Sequence, residues 1–380
     1  MLLPLRGRLC RRSKIEDSMG FPRQAPEELQ RKSEPPRIAA NGIAWLPVSE
    51  WDFPWLWAGF STRRQGRSRA WCAEDEPGEL NLGLNREEDA EITFANRRLF
   101  AEAVTGNPQT PLITLRQIHS KHLVTIRDQG SGVRDQESAV RDQRSGIMDR
   151  GSEIRDRKAP IPTAEAGIGR GSGRPAKGDG LLTRQAGLLL AIQTADCIPV
   201  LVADRRIRAV AAFHAGWRGT VNRIVEGGIG RMRLEFGSRP EDLIATIGPG
   251  IGACCYAVGE EVLSEFESQF AYAPELFREV YDTDPVRQKY PMLFLTQRAP
   301  GHSPIGPSMH LDLVEANRRQ LLGAGLKPRS IQIVGGCTAC QRELFFSHRA
   351  SHGHAGRMMA VIGMRAEKSE GSHSSRKRRG

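Results

Sequence analysis

The sequence predicts a layered α+β fold in a single domain. Short apolar segments typical of buried strands are mixed with longer amphipathic segments typical of helices, without a strict strand–helix–strand order. No segment has the roughly 18 consecutive apolar residues that a membrane span needs. The N-terminus lacks the apolar core and small-residue cleavage site of a secretory signal. We therefore expect a cytoplasmic protein that does not associate with membranes.

The predicted elements follow from local patterns. Strands are expected where apolar runs lie between polar breaks, at 111–118, 122–126, 187–203, 207–214, 243–247, 331–335 and 357–364. Helices are expected at 87–104, 219–236, 258–269 and 312–324. Gly106 marks the end of the first helix, and Asp312 supplies a cap or first-turn acid for the last one.

Three segments carry the whole net charge of +11. Residues 1–40 contribute +4, residues 127–177 contribute +3 and residues 365–380 contribute +4. All three are rich in Gly, Ser, Pro and charge and poor in apolar residues, a composition typical of disorder. We expect a disordered N-terminal extension, a disordered insertion and a disordered tail. The domain itself, 41–364 without the insertion, is then almost neutral, so we expect no nucleic-acid binding.

The insertion at 127–177 contains an internal repeat. A seven-residue unit occurs five times, beginning with RDQGSGV at Arg127. A coiled-coil heptad has two apolar positions, but each unit here has only one, such as Val133. We interpret the segment as a low-complexity insertion that leaves the domain and returns near Gly178.

Cys197 and His214 are the most informative residues of the chain. Two apolar strands flank a polar break, and a two-residue loop at Arg205-Arg206 would place Cys197 directly opposite His214. Opposed residues of one sheet face have Cβ atoms roughly 4.5–5.5 Å apart, close enough to share a metal ion or a proton. Thiolate and imidazole are ordinary zinc ligands. We therefore predict a zinc site.

A catalytic zinc site usually has three protein ligands and one open position. The best third candidate is His119, at the end of an apolar strand, and His122 is the fallback. A lone histidine is more often a hydrogen-bonded loop or core residue than a ligand. The prediction therefore depends on the three residues occurring together.

The chain has seven cysteines, an odd number without a regular framework, which indicates reduced thiols. Cys337 and Cys340 have the CxxC spacing of a redox or half-metal site, but no second CxxC completes a four-cysteine site. Cys254 and Cys255 are adjacent, which makes tetrahedral binding of one ion awkward. We expect these four to be structural thiols.

Several motifs together resemble the laccase-domain family, first called multicopper polyphenol oxidase and now described as purine nucleoside phosphorylase. They lie in the family's order between about residues 45 and 364. They include Phe60-Ser61-Thr62-Arg63, Asn81-Leu82-Gly83, Gln117-Ile118-His119, Thr194-Ala195-Asp196-Cys197 and His214-Ala215-Gly216-Trp217-Arg218-Gly219. The chain departs from the family pattern in its long insertion, in Arg64-Gln65-Gly66 and at His348, where the family usually has Tyr.

The resemblance implies two mixed β-sheets packed together and flanked by helices. It places zinc on His119, Cys197 and His214, with copper as the alternative metal. It also implies phosphorolysis of adenosine, inosine and methylthioadenosine to the free base and ribose 1-phosphate, with adenosine deamination as a side activity. The partners would be purine nucleosides and phosphate.

Candidate roles follow for four further residues. Zinc lowers the pKa of a bound water to about 7, which would supply hydroxide for deamination. We expect Asp196 or Asp179 to be the acid/base partner of that step. Phosphorolysis needs an anion pocket beside the ribose, and Arg63 and Arg218 can supply guanidinium groups that bind phosphate in a bidentate way.

Two alternative functions stay open. The first is a metal-free cysteine hydrolase or amidase, acting on peptidoglycan precursors, in which His214 activates Cys197 as a nucleophile. The second is a copper polyphenol oxidase, but several coppers would need more histidines in strand-like surroundings than the sequence has.

Overall fold

The computed structural model describes residues 35–72, 76–127, 175–281 and 307–366. Most of the predicted extension, insertion and tail, at 1–34, 128–174 and 367–380, lies outside the described residues. Residues 35–40, at the end of the predicted extension, are described, and Arg37–Ile38 form the first strand of the described chain. Among the described helices, none combines the length and the apolar character required to cross a membrane.

The described chain contains strands and helices in an irregular order. The strands are β1 (Arg37–Ile38), β2 (Ala44–Pro47), β3 (Leu56–Ser61), β4 (Arg64–Ser68), β5 (Leu112–Ile113), β6 (Leu123–Ile126), β7 (Gly180–Thr183), β8 (Leu189–Thr194), β9 (Ile198–Asp204), β10 (Ala209–Ala215), β11 (Leu243–Ile247), β12 (Ala257–Val258), β13 (Phe277–Val280), β14 (Ser308–Leu311), β15 (Ile331–Ile333) and β16 (Met358–Met364). The α-helices are α1 (Ala90–Thr105), α2 (Trp217–Val221), α3 (Ile224–Phe236), α4 (Glu260–Gln269) and α5 (Leu313–Gly323).

Two six-stranded sheets form the centre of the domain. The first has the order β1-β2-β3-β16-β8-β5, and the second has the order β15-β11-β9-β10-β7-β6. Each is mixed, because an otherwise antiparallel sheet has a parallel pair at one or both ends. The prediction of two mixed sheets flanked by helices is confirmed. A small antiparallel sheet, β12-β14-β13, is an addition that the sequence did not reveal.

The apolar residues arrange these elements in four layers. Between the two sheets, Phe60 and Ile362 of the first sheet pack with Leu201 of the second. Helix α1 covers the outer face of the first sheet through Phe100. Helices α3 and α5 cover the outer face of the second sheet, where Phe213 is completely buried. Strands buried on both faces explain why these segments read as continuous apolar runs.

The hairpin formed by β9 and β10 differs from its prediction in register. The loop spans residues 205–208, so Asp204 pairs with Ala209 and His214 pairs with Pro199. The carboxylate of Asp204 accepts the backbone N–H groups of Arg206 and Ile207, which stabilises the longer loop. The predicted pairing of Cys197 with His214 is therefore wrong by two residues. A shift of two keeps each side chain on its predicted face, because the strand period is two.

The apolar run at 187–203 is not one strand. It divides into β8, in the first sheet, and β9, in the second, and residues 195–197 connect the two sheets. The predicted helix at 219–236 is divided as well, at Arg223, which has a left-handed φ of 59°.

The predicted end of the first helix and the predicted N-cap of the last helix are confirmed. Gly106 follows α1 with a φ of 80°. The side chain of Asp312 accepts the backbone N–H of Glu315 at 2.9 Å, as an N-cap does at the start of a helix.

Two adjacent glycines of α3 differ in the space around them, because only one of them faces β10. A Cβ at Gly228 would lie 2.3 Å from the Phe213 ring, whereas a Cβ at Gly227 would meet nothing within 4 Å. We expect Gly228→Ala to lower the free energy of unfolding by about 1–3 kcal/mol through overpacking. Gly227→Ala, the matched control, should raise it by about 0.5–1 kcal/mol. Urea denaturation of both variants checks this, and equal effects would contradict the packing described.

Candidate metal centre

The connection between the two sheets carries Cys197. Asp196, just before it, has a left-handed φ of 87°, which turns the chain from β8 towards β9. Its carboxylate accepts the Thr338 hydroxyl at 2.7 Å and the backbone N–H of Arg349 at 2.7 Å. Its carbonyl accepts the backbone N–H of Ile251 at 2.8 Å. The turn that presents Cys197 is therefore held by three distant parts of the chain.

His214 lies near the end of β10 and is buried. Its Nδ1 is 2.8 Å from Oδ1 of Asp179, and its backbone N–H donates to the Asp179 carbonyl at 2.7 Å. The imidazole therefore has one nitrogen engaged by a carboxylate, and Nε2 is the nitrogen left for a ligand or proton. A carboxylate behind a metal-binding histidine is the usual arrangement, because it fixes the ring orientation.

Asp179 is completely buried and accepts several hydrogen bonds. The backbone N–H groups of Ile118, His119 and Ser120 donate to its carboxylate, as does the Ser120 hydroxyl at 2.7 Å. Burial alone would raise the pKa of Asp179, but the hydrogen bonds from His214 and Ser120 outweigh it and lower the pKa to about 2. The carboxylate therefore stays ionised at neutral pH.

His119 completes the group from the loop after β5. Its φ of 57° is left-handed, and its side chain is exposed. The ring centroid is 4.9 Å from that of His214, in an edge-to-face arrangement. The hydrogen bond from the His119 backbone N–H to Asp179 fixes this loop at the same carboxylate that orients His214.

The structure thus brings His119, Cys197 and His214 together, with one ligand atom of each within 4.8 Å of the others. The predicted fallback, His122, is not part of this group. Glycine at position 216 permits the approach, because a Cβ there would lie 2.9 Å from Cys197 Sγ and 3.3 Å from the His119 ring.

Half-buried Cys197 and buried His214 form a charged pair in the metal-free protein. Burial raises the pKa of the Cys197 thiol, but the charge of His214 and hydrogen bonds from His119 and His214 outweigh it and lower the pKa to about 6. Burial lowers the pKa of His214, but the charge of Cys197 and the Asp179 hydrogen bond raise it to about 9. A sulfur held as thiolate is the form that binds metal.

The donor set fits a catalytic zinc site. One thiolate and two imidazoles are three protein ligands, which leaves one tetrahedral position for water or substrate. The exposed side chain of His119 marks the side from which the site is reached.

A comparison with protein families identifies the family of the chain. The family model described as multi-copper polyphenol oxidoreductase laccase matches residues 57–365. The chain belongs to this family. We refer to it below as the laccase family.

The relatives are named as enzymes of nucleosides. The purine nucleoside phosphorylase YlmD of Geobacillus stearothermophilus is 31% identical over 325 residues, which are 85% of this chain and 95% of that protein. A purine nucleoside phosphorylase of Bacteroides thetaiotaomicron is 38% identical over 182 residues, 48% of this chain and 59% of that relative. The adenosine deaminase RL5, from an unknown prokaryotic organism, is 31% identical over 182 residues, 48% of this chain and 60% of that relative. The last two alignments thus span about three fifths of those relatives.

Solved structures share the fold. The hypothetical protein YfiH of Bacillus licheniformis superposes with a TM-score of 0.62 at 27% identity, covering 87% of this chain and 98% of that one. This likeness is consistent with the mixed α+β fold described above.

Positively charged side chains lie around the candidate metal centre. The sequence had indicated only one of them, Arg218. The charges of Cys197, Arg349, Asp196 and Arg218 all act on the hydroxyl of Tyr256, whose pKa is raised, mainly by burial. The Arg349 guanidinium lies 5.4 Å from the centre of the Tyr256 ring. Arg218 lies 4.5 Å from the ring centre of Trp217. No role was predicted from the sequence for Tyr256 or Arg349.

Arg357 extends this positive region, and His348 lies near it. Burial lowers the pKa of Arg357, while the charges of Cys197 and Asp196 act in the opposite direction. Burial and the charge of Arg357 lower the pKa of His348, which also feels the charges of Asp196 and His119. Both residues therefore lie close to the predicted ligands.

Arg63 has a different environment. Its guanidinium pairs with Glu79, donates to the Arg342 carbonyl at 2.8 Å and lies 4.6 Å from the Phe346 ring centre. These contacts are not with the metal ligands. Its role in phosphate binding stays a prediction.

Four of the other cysteines are closer together than the sequence indicated. Sγ atoms of Cys254, Cys255, Cys337 and Cys340 lie within 4.8 Å of one another. The 252–256 turn and the 337–341 turn meet here, so Cys254 and Cys255 form one group with the CxxC pair without a second CxxC. The expected structural role of these thiols stays a prediction.

The charged pair predicts an unusual pH dependence for Cys197. In metal-free protein we expect alkylation by iodoacetamide to be half-maximal near pH 6 and to fall at lower pH, because only the thiolate reacts. Mass mapping of the Cys197 peptide across pH measures this. In His214→Ala the pH of half-maximal alkylation should rise, because the positive charge that lowers the pKa of Cys197 is lost. Half-maximal reaction near 9.0, the ordinary pKa, in the unaltered protein would contradict the pairing.

Proposed function

We propose that this chain is a zinc-dependent purine nucleoside phosphorylase. Its substrates would be adenosine, inosine or methylthioadenosine together with phosphate, and its products the free base and ribose 1-phosphate. Adenosine deamination would be a side activity. The named relatives support the nucleoside chemistry, and the laccase-family match supports a metal.

The observation that carries the proposal is the convergence of two imidazoles on one half-buried thiolate. Both His119 and His214 hydrogen-bond to Cys197, and the ligand atoms of the three lie within 4.8 Å. A thiol nucleophile needs one activating imidazole, but a zinc ion needs the second one as well. Bound zinc would supply Lewis acidity towards the purine and would activate water for deamination.

Within this scheme the two aspartates have different environments. Asp179 orients His214 and the His119 loop, and its low pKa makes it a poor proton carrier at neutral pH. We therefore assign it a positioning role in the proposal. Asp196 lies beside Cys197 and its oxygens accept from Thr338 and Arg349, so it is the remaining acid/base candidate for deamination.

Phosphorolysis breaks the bond between ribose C1′ and the purine nitrogen and forms a bond from C1′ to a phosphate oxygen. The anion must therefore lie beside the ribose. Arg218, Arg349 and Arg357 are the guanidinium groups whose charges interact with Tyr256, Cys197 or Asp196 at the site. We propose that they bind phosphate, since guanidinium matches phosphate in a bidentate geometry.

A cysteine hydrolase is the second candidate, because one observation favours it. Cys197, His214 and Asp179 form a hydrogen-bonded series in the order that activates a thiol nucleophile. This reading assigns no task to His119. The copper oxidase alternative has less support, because only one of the two possible metal groups among the described residues contains histidine.

Zinc content and turnover test the proposal together. Cys197→Ala should contain one zinc fewer per chain than the unaltered protein and should release no base from adenosine and phosphate. His122→Ala is the matched control, because His122 is an exposed histidine three residues from His119 but outside the ligand group. It should keep both zinc and turnover. Unchanged zinc content in Cys197→Ala would overturn the metal assignment and favour the hydrolase.

The positioning role of Asp179 makes a separate prediction. Asp179→Asn keeps the shape but weakens the support of His214, so zinc affinity should fall by about 10–100-fold. Competition with a chromophoric chelator measures the affinity. Added zinc should restore turnover in this variant. Loss of turnover at saturating zinc would instead indicate that Asp179 takes part in the reaction itself.

A further inference from the structure

A second thiol-rich group lies apart from the candidate metal centre. Cys254 and Cys255 are in a turn after β11, where the N–H groups of Cys255 and Tyr256 donate to the Gly252 carbonyl. Cys337 and Cys340 are in a turn after β15. The Sγ of Cys340 is 3.5 Å from that of Cys254 and 3.4 Å from that of Cys255.

These distances exclude disulfide bonds and suit a single ion. A disulfide has an S–S length of about 2.05 Å, and all four thiols are free. Four thiolates around one zinc, each about 2.3 Å from the metal, have sulfur atoms about 3.8 Å apart. All four Sγ atoms lie within 4.8 Å of one another, so a small closure of the turns would complete a tetrahedron.

Backbone contacts hold the two turns in place. The Cys340 N–H donates to the Cys337 carbonyl at 3.2 Å, which closes the turn that carries both sulfurs. Gly252 permits the close approach of the two turns, because a Cβ there would lie 3.2 Å from Cys337 Cβ and 3.3 Å from Cys254 Sγ. The turns are joined next to the sulfurs by the Thr338 N–H, which donates to the Gly250 carbonyl at 3.0 Å.

We propose that Cys254, Cys255, Cys337 and Cys340 bind a second zinc ion, which fastens the 252–256 turn to the 337–341 turn. Four thiolates in tetrahedral geometry select zinc or iron, and no open position remains for substrate. The ion therefore has a structural role.

At this position the second ion would stabilise the walls of the candidate metal centre. Tyr256 directly follows Cys255 and is close enough to the first site for the charge of Cys197 to act on it. Thr338 directly follows Cys337, and its hydroxyl holds the carboxylate of Asp196. Each bound turn thus contributes one residue to the wall of the candidate metal centre.

Metal analysis of the full chain, purified with reductant, tests the proposal. The unaltered protein should contain two zinc ions per chain, and a Cys337→Ser, Cys340→Ser double variant should contain one. Cys197→Ala should also contain one, in the thiol group. Cys72→Ser is the matched control and should contain two, since Cys72 belongs to neither metal group.

Cobalt substitution provides a second measurement of the number of metal–sulfur bonds, and it does not require the double variant to fold. Cobalt-loaded unaltered protein should show charge-transfer absorbance from five cobalt–sulfur bonds, and Cys197→Ala should keep that of four. If the unaltered protein contains one zinc per chain and Cys197→Ala contains none, the second site is overturned and the proposed function is supported. Iron in place of zinc would overturn the choice of metal, and disulfides among the four cysteines in fresh reduced protein would overturn the site itself.

Discussion

The buried carboxylate of Asp179 is the interaction on which the arrangement of the site depends. It is completely buried, yet it receives three backbone N–H groups, a hydroxyl and an imidazole. A buried charge is tolerated only when its hydrogen bonds are satisfied, and here they are satisfied by the two segments that carry His119 and His214. One carboxylate therefore fixes two of the three proposed ligands relative to each other. The third, Cys197, arrives on the connection between the sheets, which Asp196 holds in the same manner.

The four-layer fold explains how the connection between the two sheets holds Cys197 in a fixed position. The strands on either side of Cys197 are buried on both faces, so neither can move without disturbing two apolar layers. The chain leaves one sheet and enters the other within residues 195–197, and Gly216 opposite them leaves room for the sulfur. Rigid strands thus place a thiolate and an imidazole, while the exposed loop of His119 leaves the site accessible.

Local patterns predicted much of the fold and indicated three residues that the structure brings together, and the wrong predictions have physical causes. The apolar pattern located β9 and β10 and kept His214 on the correct face even with the register wrong by two, because side-chain direction repeats every two residues. The division of 187–203 between two sheets was missed, since apolar residues continue through it and only a left-handed Asp196 turns the chain. The thiol group was missed because its two turns are more than 80 residues apart in sequence and meet only in the folded chain, where the Thr338 N–H donates to the Gly250 carbonyl. Arg349 and Tyr256 likewise reach the site only by tertiary packing.

Anomalous X-ray scattering on both sides of the zinc absorption edge, from crystals of the full chain, tests the ligand set most directly. The predicted result is a zinc peak about 2.0–2.3 Å from a ring nitrogen of His119, Nε2 of His214 and Sγ of Cys197. The contradicting result is the absence of a peak between these three residues in crystals of protein that phosphorolyses purine nucleosides.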